Sequence, residues 1–553
     1  MEFSNVLFLY LLLPAAVLTY HLLPGIWRKN AALTIMSLLL YAMGQPVYVP
    51  LLVGMCYVNY RLALRIEPEE RGTLLLPVVL NVAVLGGFQY LTLLLDSFGL
   101  GTGGFRILPA GLWVMTFSAV SYLVDVYRGR TEPEEEFSKL LLYFLMFPKL
   151  LQGPIVPYCQ ISQQLRSRRH DPRAVFEGLR RFCFGLAKKV LLADACGRLM
   201  QQLIAMEADY TLVGIWFGAV LFLFRIYYDF SGCCDMAIGL GRVFGFRYCE
   251  NFNRPYMALS VTDFCGRWHM SLGNFFRNYV YEPLGGKELG KLRQAMHMLI
   301  CCVAVGLWHS AGLNYLIWAA YLGGILALEL YLKKRMNYWP DWLCRCWTLW
   351  LLLFGWILFS HESLEELKNA MLAILGYGGF GVAGLGRLIF SSFPLLLICG
   401  LGCTNLPVYI KRIFAGICGV DPRNREQEIT VLRVVYAVVS LGVMLWLLWM
   451  CTISLTTLPS LPSIYGQVGG GKDEKNLYDC LRSAGAVPAG VRLYLPVRQG
   501  SDFLRRGAAY AGALSRRYVH RRDERQILPE SGRILCRHLP RPGGHGGREE
   551  HRP

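Results

Sequence analysis

The sequence predicts an all-α integral membrane protein, and three observations carry that prediction. Of the 553 residues 54% are apolar and only 17% charged, against about 25% charged in a soluble domain. Apolar runs recur between Asn5 and Leu455, several of them near the ~20 residues needed to cross ~30 Å of hydrocarbon. Polar residues inside those runs are few and gather in one zone.

The elements follow in chain order. Asn5–Ile26 reads as a first membrane helix rather than a cleavable leader. Glu2 precedes it instead of a basic cluster, the run is too long, and no small-residue cleavage site follows. Arg28 and Lys29 come next and place that end of the helix in the cytoplasm. Leu74–Leu95, Tyr210–Phe230, Tyr315–Leu332, Trp342–Phe359, Leu388–Cys403 and Val431–Leu455 are further runs of spanning character. Ala31–Met43, Val47–Tyr60, Leu140–Val156 and Met298–Trp308 are shorter and read as half-spans or re-entrant pieces. Together they make about 11 to 13 transmembrane or re-entrant helices.

Two stretches interrupt the pattern. In Tyr158–Asp194, Arg166, Arg168, Arg169 and Arg173 form a basic loop suited to setting topology and meeting anionic lipid. Phe176–Asp194 alternates basic and apolar residues at helical spacing. An interfacial helix is expected there, with Arg180, Arg181, Lys188 and Lys189 near phosphates and Leu179, Phe182, Leu186 and Val190 toward acyl chains. In Arg247–Gln294, the segment Asp263–Glu282 reads as one amphipathic helix. Trp268, Leu272, Phe275, Phe276 and Tyr279 share a face, Thr262 or Asp263 caps the start, and Pro283, Gly285 and Gly286 end it.

The net charge of +18 is accounted for by these loops and by the C-terminal stretch, so no nucleic-acid partner is expected. Residues 463–553 differ in kind from the body, 1–462. From Tyr465 onward Arg outnumbers Lys 15 to 2, whereas before it the ratio is 28 to 11. Apolar periodicity stops and Gly-rich patches appear. The stretch reads as a disordered basic tail or as translation in a shifted frame beyond the natural end. The 18 cysteines lie mostly in apolar segments without Cys-x-x-Cys spacing, which suits small core residues. No metal-ligand set emerges.

Polar residues in apolar surroundings are costly unless paired, so they mark candidates for chemistry. Asp229 and Asp235 flank Ser231-Gly232. They either orient a catalytic group, pair with Arg242 or Arg247, or mark a helix start, with Asp229 or Ser231 as its cap and Asp235 in its first turn. His269, next to Arg267 and Trp268, is either a satisfied polar residue on the amphipathic helix or part of a site. His309 ends one apolar run shortly before another begins. It is either an interfacial histidine or an acid–base group, its usual pKa of ~6.5 suiting the latter.

Six segments in order resemble the membrane-bound O-acyltransferases. They are Leu108–Gly129, Phe147–Tyr158, Gly185–Asp194, Tyr227–Tyr256 (YYDFSGCCDMAIGLGRVFGFRYCENFNRPY), Arg267–Gly286 (RWHMSLGNFFRNYVYEPLGG) and Gly306–Gly323 (GLWHSAGLNYLIWAAYLG), within a core of 108–323. The likeness is to the alginate O-acetyltransferase membrane-subunit type, with the D-alanyl transfer protein of teichoic acid modification as a relative. It implies helices around a central tunnel in which an acyl donor and a hydroxyl acceptor meet from opposite membrane faces. It puts the active-site histidine at His309 and the second family histidine at His269. Asn251, Arg267, Trp268 and Trp308 are candidates to line the tunnel, and Asp229 and Asp235 to support it. Three features depart from the family pattern: Cys265-Gly266 where Trp-Arg is usual, Ser310 where Gly is usual, and the long stretch after the last helix.

The expected function is transfer of an acyl group, most simply acetyl, to hydroxyls of an exported polysaccharide at a bacterial cell membrane. The donor is a cytoplasmic substrate such as acetyl-CoA or an acyl carrier protein, with no bound cofactor. Membrane lipids are partners, and an extracytoplasmic acyltransferase can complete the transfer. D-alanyl transfer to teichoic acid from a carrier protein is the alternative within the family. A solute transporter built on broken helices is the alternative outside it.

Overall fold

The computed structural model describes residues 3–68, 70–98, 108–150, 153–168, 171–286, 290–310, 312–336, 338–406, 409–410, 413 and 430–457. The tail expected to be disordered lies outside them. Among the described residues every regular element is helical.

A π-helical turn, Phe8–Leu12, leads into α1 (Leu13–Leu22). Then come α2 (Ile26–Ala42), α3 (Val49–Ala63), α4 (Arg71–Ser97) and α5 (Leu112–Tyr127). The apolar run Leu140–Val156 is broken. α6 (Phe137–Leu145) stops at Met146, α7 (Phe147–Leu150) is one turn, and residues 153–157 adopt no regular structure, in keeping with Gly153, Pro154 and Pro157. α8 (Tyr158–Arg166), α9 (Pro172–Ala187), a π-helical turn Lys188–Ala193 and α10 (Asp194–Ala205) cover the polar stretch. α11 (Leu212–Val243), α12 (Val261–Arg267), α13 (Met270–Phe276), α14 (Lys291–His309), α15 (Leu313–Met336), α16 (Asp341–Ser360), α17 (Leu364–Ile374), α18 (Leu385–Gly402) and α19 (Thr430–Thr457) complete the body.

Among the described residues six helices are long and apolar enough to cross a membrane: Arg71–Tyr90 of α4, α11, Leu313–Leu332 of α15, α16, α18 and Val438–Leu455 of α19. Phe8–Leu22 and α5 are shorter apolar helices. The protein is a multi-pass membrane protein, and α11 is its pillar. Of the α11 window 61% is buried, against 11% in α4 and 17% in α18 and α19, so α11 meets protein on most sides while the others present apolar faces outward.

Close approach of α9 to α11 explains that burial. A Cβ on Gly185 would lie 2.6 Å from the Gly232 carbonyl oxygen, and one on Gly178 2.6 Å from that of Gly239. The glycines are spaced by seven on both helices, so small residues face each other along the seam, the packing that membrane helices favour. This corrects the interfacial reading of 176–194. Phe182, Leu186 and Val190 are buried in the core rather than turned to lipid, and Lys189 is 1% exposed.

The carboxylates of α11 are corrected with it. α11 runs unbroken through both, and Thr211 caps its start by accepting from the Gly214 amide at 3.1 Å. Neither Asp229 nor Asp235 is a cap, and neither pairs with Arg242, which meets Glu177 at 2.9 Å. Lys189 binds Asp229 at 2.9 Å with both side chains buried. Arg181 and Lys188 bind Asp235 at 2.7 and 2.6 Å. Arg181 and Lys188 are one heptad apart and share a face, and the π-helical turn brings Lys189 to the next turn of α11 as well.

Candidate active site

The expected helix Asp263–Glu282 is two helices with a sharp break. Ser260 caps α12, its hydroxyl accepting from the Asp263 amide at 3.0 Å, so the expected caps Thr262 and Asp263 lie inside the helix. Glu329 of α15 reaches the same end. Its carboxylate accepts from the amides of Val261 and Thr262 at 2.7 and 2.8 Å and from the Thr262 hydroxyl at 2.7 Å. A carboxylate there satisfies orphan N–H groups and meets the positive end of the helix. α12 ends at Arg267, and His269 has φ +45°, a left-handed conformation. Non-glycine residues rarely adopt it, and it concentrates at functional sites. α13 starts immediately after.

His269 therefore sits at a break and is 4% exposed. The segment around Asn251 fixes it. The Asn251 carbonyl oxygen accepts from the Met270 amide at 2.9 Å. Its Oδ1 lies 3.1 Å from His269 Nδ1 and accepts from the Ser271 amide and hydroxyl at 3.0 and 2.9 Å. Its Nδ2 lies 3.1 Å from Cys234 Sγ, which orients the amide. Oδ1 only accepts, so the network assigns the proton to His269 Nδ1 and leaves the Nε2 lone pair available. Nε2 is buried and has no hydrogen-bond partner among the described residues. The Phe230 ring meets the imidazole edge-on at 4.7 Å between centroids.

His309 is the last residue of α14 and 5% exposed. Aromatic rings wall it: Trp308 at 4.2 Å between centroids, Phe359 at 5.0 Å, Trp318 at 5.6 Å and Tyr315 stacked at 6.0 Å. The Trp308 ring also lies 6.2 Å from His269, so one indole joins the two imidazoles. Gln89 of α4 donates to the Trp308 carbonyl at 2.8 Å and the Tyr90 hydroxyl donates to that of Leu307. These bonds occupy free carbonyls at the end of α14 and hold His309 in place.

The other candidates divide. Asn251 and Trp308 belong to the histidine pair. Trp268 packs on Phe252, Trp356 and Phe264 at 5.1, 5.3 and 5.4 Å and so anchors the chain next to the break. Arg267 is not drawn in. Its guanidinium meets Asp263 at 2.7 Å, with both side chains about a third exposed. Asp229 and Asp235 serve the α9–α11 seam. At Gly266, where the family has a large residue, a Cβ would meet nothing within 4 Å.

Glu329, Gln89 and Phe359 escaped sequence reading, and Ser271 is legible there only as part of a polar helix face. Glu329 had a signal, an acidic residue inside the apolar run Tyr315–Leu332; the other three are ordinary residues that only folding brings together. Among the described residues no group of three His, Cys, Asp or Glu side chains is placed to hold a metal, and most of the free cysteines are buried.

Fold and geometry together define a multi-pass helical membrane protein with a buried, aromatic-walled pair of histidines. Residues 113–364 match the membrane-bound O-acyltransferase family. The chain is 33% identical over 446 residues to a probable alginate O-acetylase AlgI of Pseudomonas syringae pv. tomato, covering 77% of this chain and 84% of the relative. It is 29% identical to a peptidoglycan O-acetyltransferase of Helicobacter pylori, over 70% of this chain and 82% of that one. It is 25% identical to a teichoic acid D-alanyltransferase of Bacillus subtilis, over 46% and 69%. The chain belongs to the membrane-bound O-acyltransferase family and is an acyltransferase. Family membership replaces the transporter alternative.

Proposed function

We propose that this acyltransferase moves an acetyl group from a cytoplasmic thioester donor, acetyl-CoA or an acyl carrier protein, to hydroxyls of an exported polysaccharide at a bacterial cell membrane. One observation carries the reading: His309, buried at the end of α14, is joined through Trp308 to His269, whose Nε2 has no hydrogen-bond partner among the described residues. A hydroxyl is a weak nucleophile until a base removes its proton during attack on the thioester carbonyl. His309 is that base. His269, held in one tautomer by Asn251, supports it without taking the proton. The aromatic wall excludes water and so suppresses hydrolysis of the donor.

The two-sided arrangement has support at one membrane face. Arg168 donates to Asn30 at 2.6 Å and Asn30 to the Leu165 carbonyl at 2.8 Å, gathering the basic loop beside Lys29. An excess of Arg and Lys marks the cytoplasmic side, where an anionic donor arrives. A tunnel joining that side to the outside lets the acceptor stay external, with or without a partner acyltransferase there. D-alanyl transfer is the second reading. The D-alanyltransferase relative covers less of this chain at lower identity than the acetylase relatives do, which favours acetyl.

The test is alkali-releasable acetate on the exported polymer, normalised to protein in the membrane. His309→Ala lowers it by the ~10²–10⁴-fold that general acid–base catalysis contributes, with insertion unchanged. His309→Gln fails equally, since an amide takes up no proton at neutral pH. An active His309→Ala variant removes this mechanism.

A further inference from the structure

We propose that Asn314 is a further catalytic residue, whose side-chain amide stabilises the oxyanion formed when the acyl group is attacked. The proposal rests on the acyl-transfer reading above. α14 ends at His309 and α15 begins at Leu313, so only residues 310–312 separate them. Asn314 is the second residue of α15 and 1% exposed. Its amide is near enough to the Tyr315 hydroxyl to interact with it, but the two do not meet in hydrogen-bond geometry, and neither Oδ1 nor Nδ2 has a partner of that geometry among the described residues. Its Oδ1 turns back against Gly312, where an added Cβ would collide with it. The next side chain, Tyr315, stacks on the His309 ring at an interplanar angle of 18°. The orphan amide and the proposed base thus stand at the two ends of a three-residue connection.

Burying an unpaired amide is costly, and a membrane interior offers no water to compensate. The other fully buried asparagines meet that demand. Asn59 and Asn81 bond each other at 3.0 and 2.7 Å and the backbone one turn away, and Asn251 is bonded as described. Asn314 stands apart among them. An amide kept unpaired next to a buried histidine is placed for a partner that exists only during reaction.

The step it serves balances as follows. The acceptor oxygen bonds to the thioester carbon while His309 takes its proton, and the carbonyl electron pair moves to oxygen as the tetrahedral oxyanion. Asn314 Nδ2–H donates to that oxygen. The carbonyl then re-forms, the C–S bond breaks, and the thiolate leaves with the proton returned by His309. The start of α15, whose first-turn N–H groups carry partial positive charge, adds to the same field.

The experiment uses the full chain with Asn314→Leu, Asn314→Thr and His309→Ala, reading alkali-releasable acetate on the exported polymer and thermal unfolding in detergent. Asn314→Leu is expected to lower acetylation ~10²–10³-fold, the usual effect of losing one oxyanion donor. Its unfolding temperature stays level or rises, because an unpaired polar group has been replaced by an apolar one of similar size. Asn314→Thr, which keeps a donor, retains intermediate activity. If Asn314→Leu is fully active while His309→Ala is dead, this proposal falls and the acyl-transfer reading stands. If Asn314→Leu loses stability together with activity, Asn314 is structural and the proposal falls. Asn314→Ala is judged by the same readouts if the leucine variant does not accumulate. A wild-type chain that adds no acetyl overturns both readings.

Discussion

His269 illustrates how one residue changes meaning with its surroundings. On a continuous helix it would be a polar group between Trp268 and Ser271. At the break between α12 and α13 it is a strained residue whose tautomer is set by Asn251. Asn251→Ala removes that setting and should lower acetyl transfer, and His269→Ala should lower it partially. If Asn251 acts through His269, the double variant is no worse than His269→Ala alone. Two independent residues would instead give additive losses in free energy. Acetate release from the four chains, normalised to membrane protein, decides between them, and a fully additive cycle would show that Asn251 has another task. A wild-type rate in His269→Ala would make that histidine structural.

The seam between α9 and α11 is where the longest helix is held. Gly185→Val places branched carbons where even a Cβ sits 2.6 Å from the Gly232 carbonyl. Overpacking of this kind costs about 1–3 kcal/mol, so unfolding in detergent should begin at lower temperature. Gly324→Ala on α15 is the control, since a Cβ there meets nothing within 4 Å. The ion pairs along the seam lead to a second expectation. Removing one partner of a buried pair costs about 3–5 kcal/mol, whereas replacing both by apolar residues is often neutral. Asp229→Ala should therefore destabilise strongly, and Asp229→Leu with Lys189→Met should recover most of the loss. Asp229→Asn separates this from capping: asparagine caps well but removes the negative charge that meets the Lys189 ammonium at 2.9 Å, so a mild asparagine variant would speak for the cap.

For the chain as a whole, the body 1–462 is proposed to contain everything that insertion and acyl transfer need. Every residue described in the site lies between Gln89 and Phe359, and the last apolar window ends at Leu455. Deleting 466–553 should leave insertion and acetate transfer at wild-type levels. A shortened chain that inserts normally and fails to acetylate would show that the basic stretch takes part, for instance through anionic lipid.

Spanning helices were legible from residue order alone because a bilayer demands long apolar runs whatever lies around them. His309 stood out for the same reason, being a polar group where burial is expensive. Glu329 carried the same mark and was passed over. Residue order could not place Asp229 and Asp235, since which cation answers a buried carboxylate depends on which helix comes near, and that depends on glycines matched across two distant segments. Nor could it show the break at His269, where tertiary hydrogen bonds from Asn251 and Glu329 outweigh a sound amphipathic pattern. Periodicity is a property of one segment against an apolar medium. The ion pairs, the histidine tautomer and the unpaired Asn314 amide are properties of segments far apart in sequence, and they exist only once packing has brought those segments together.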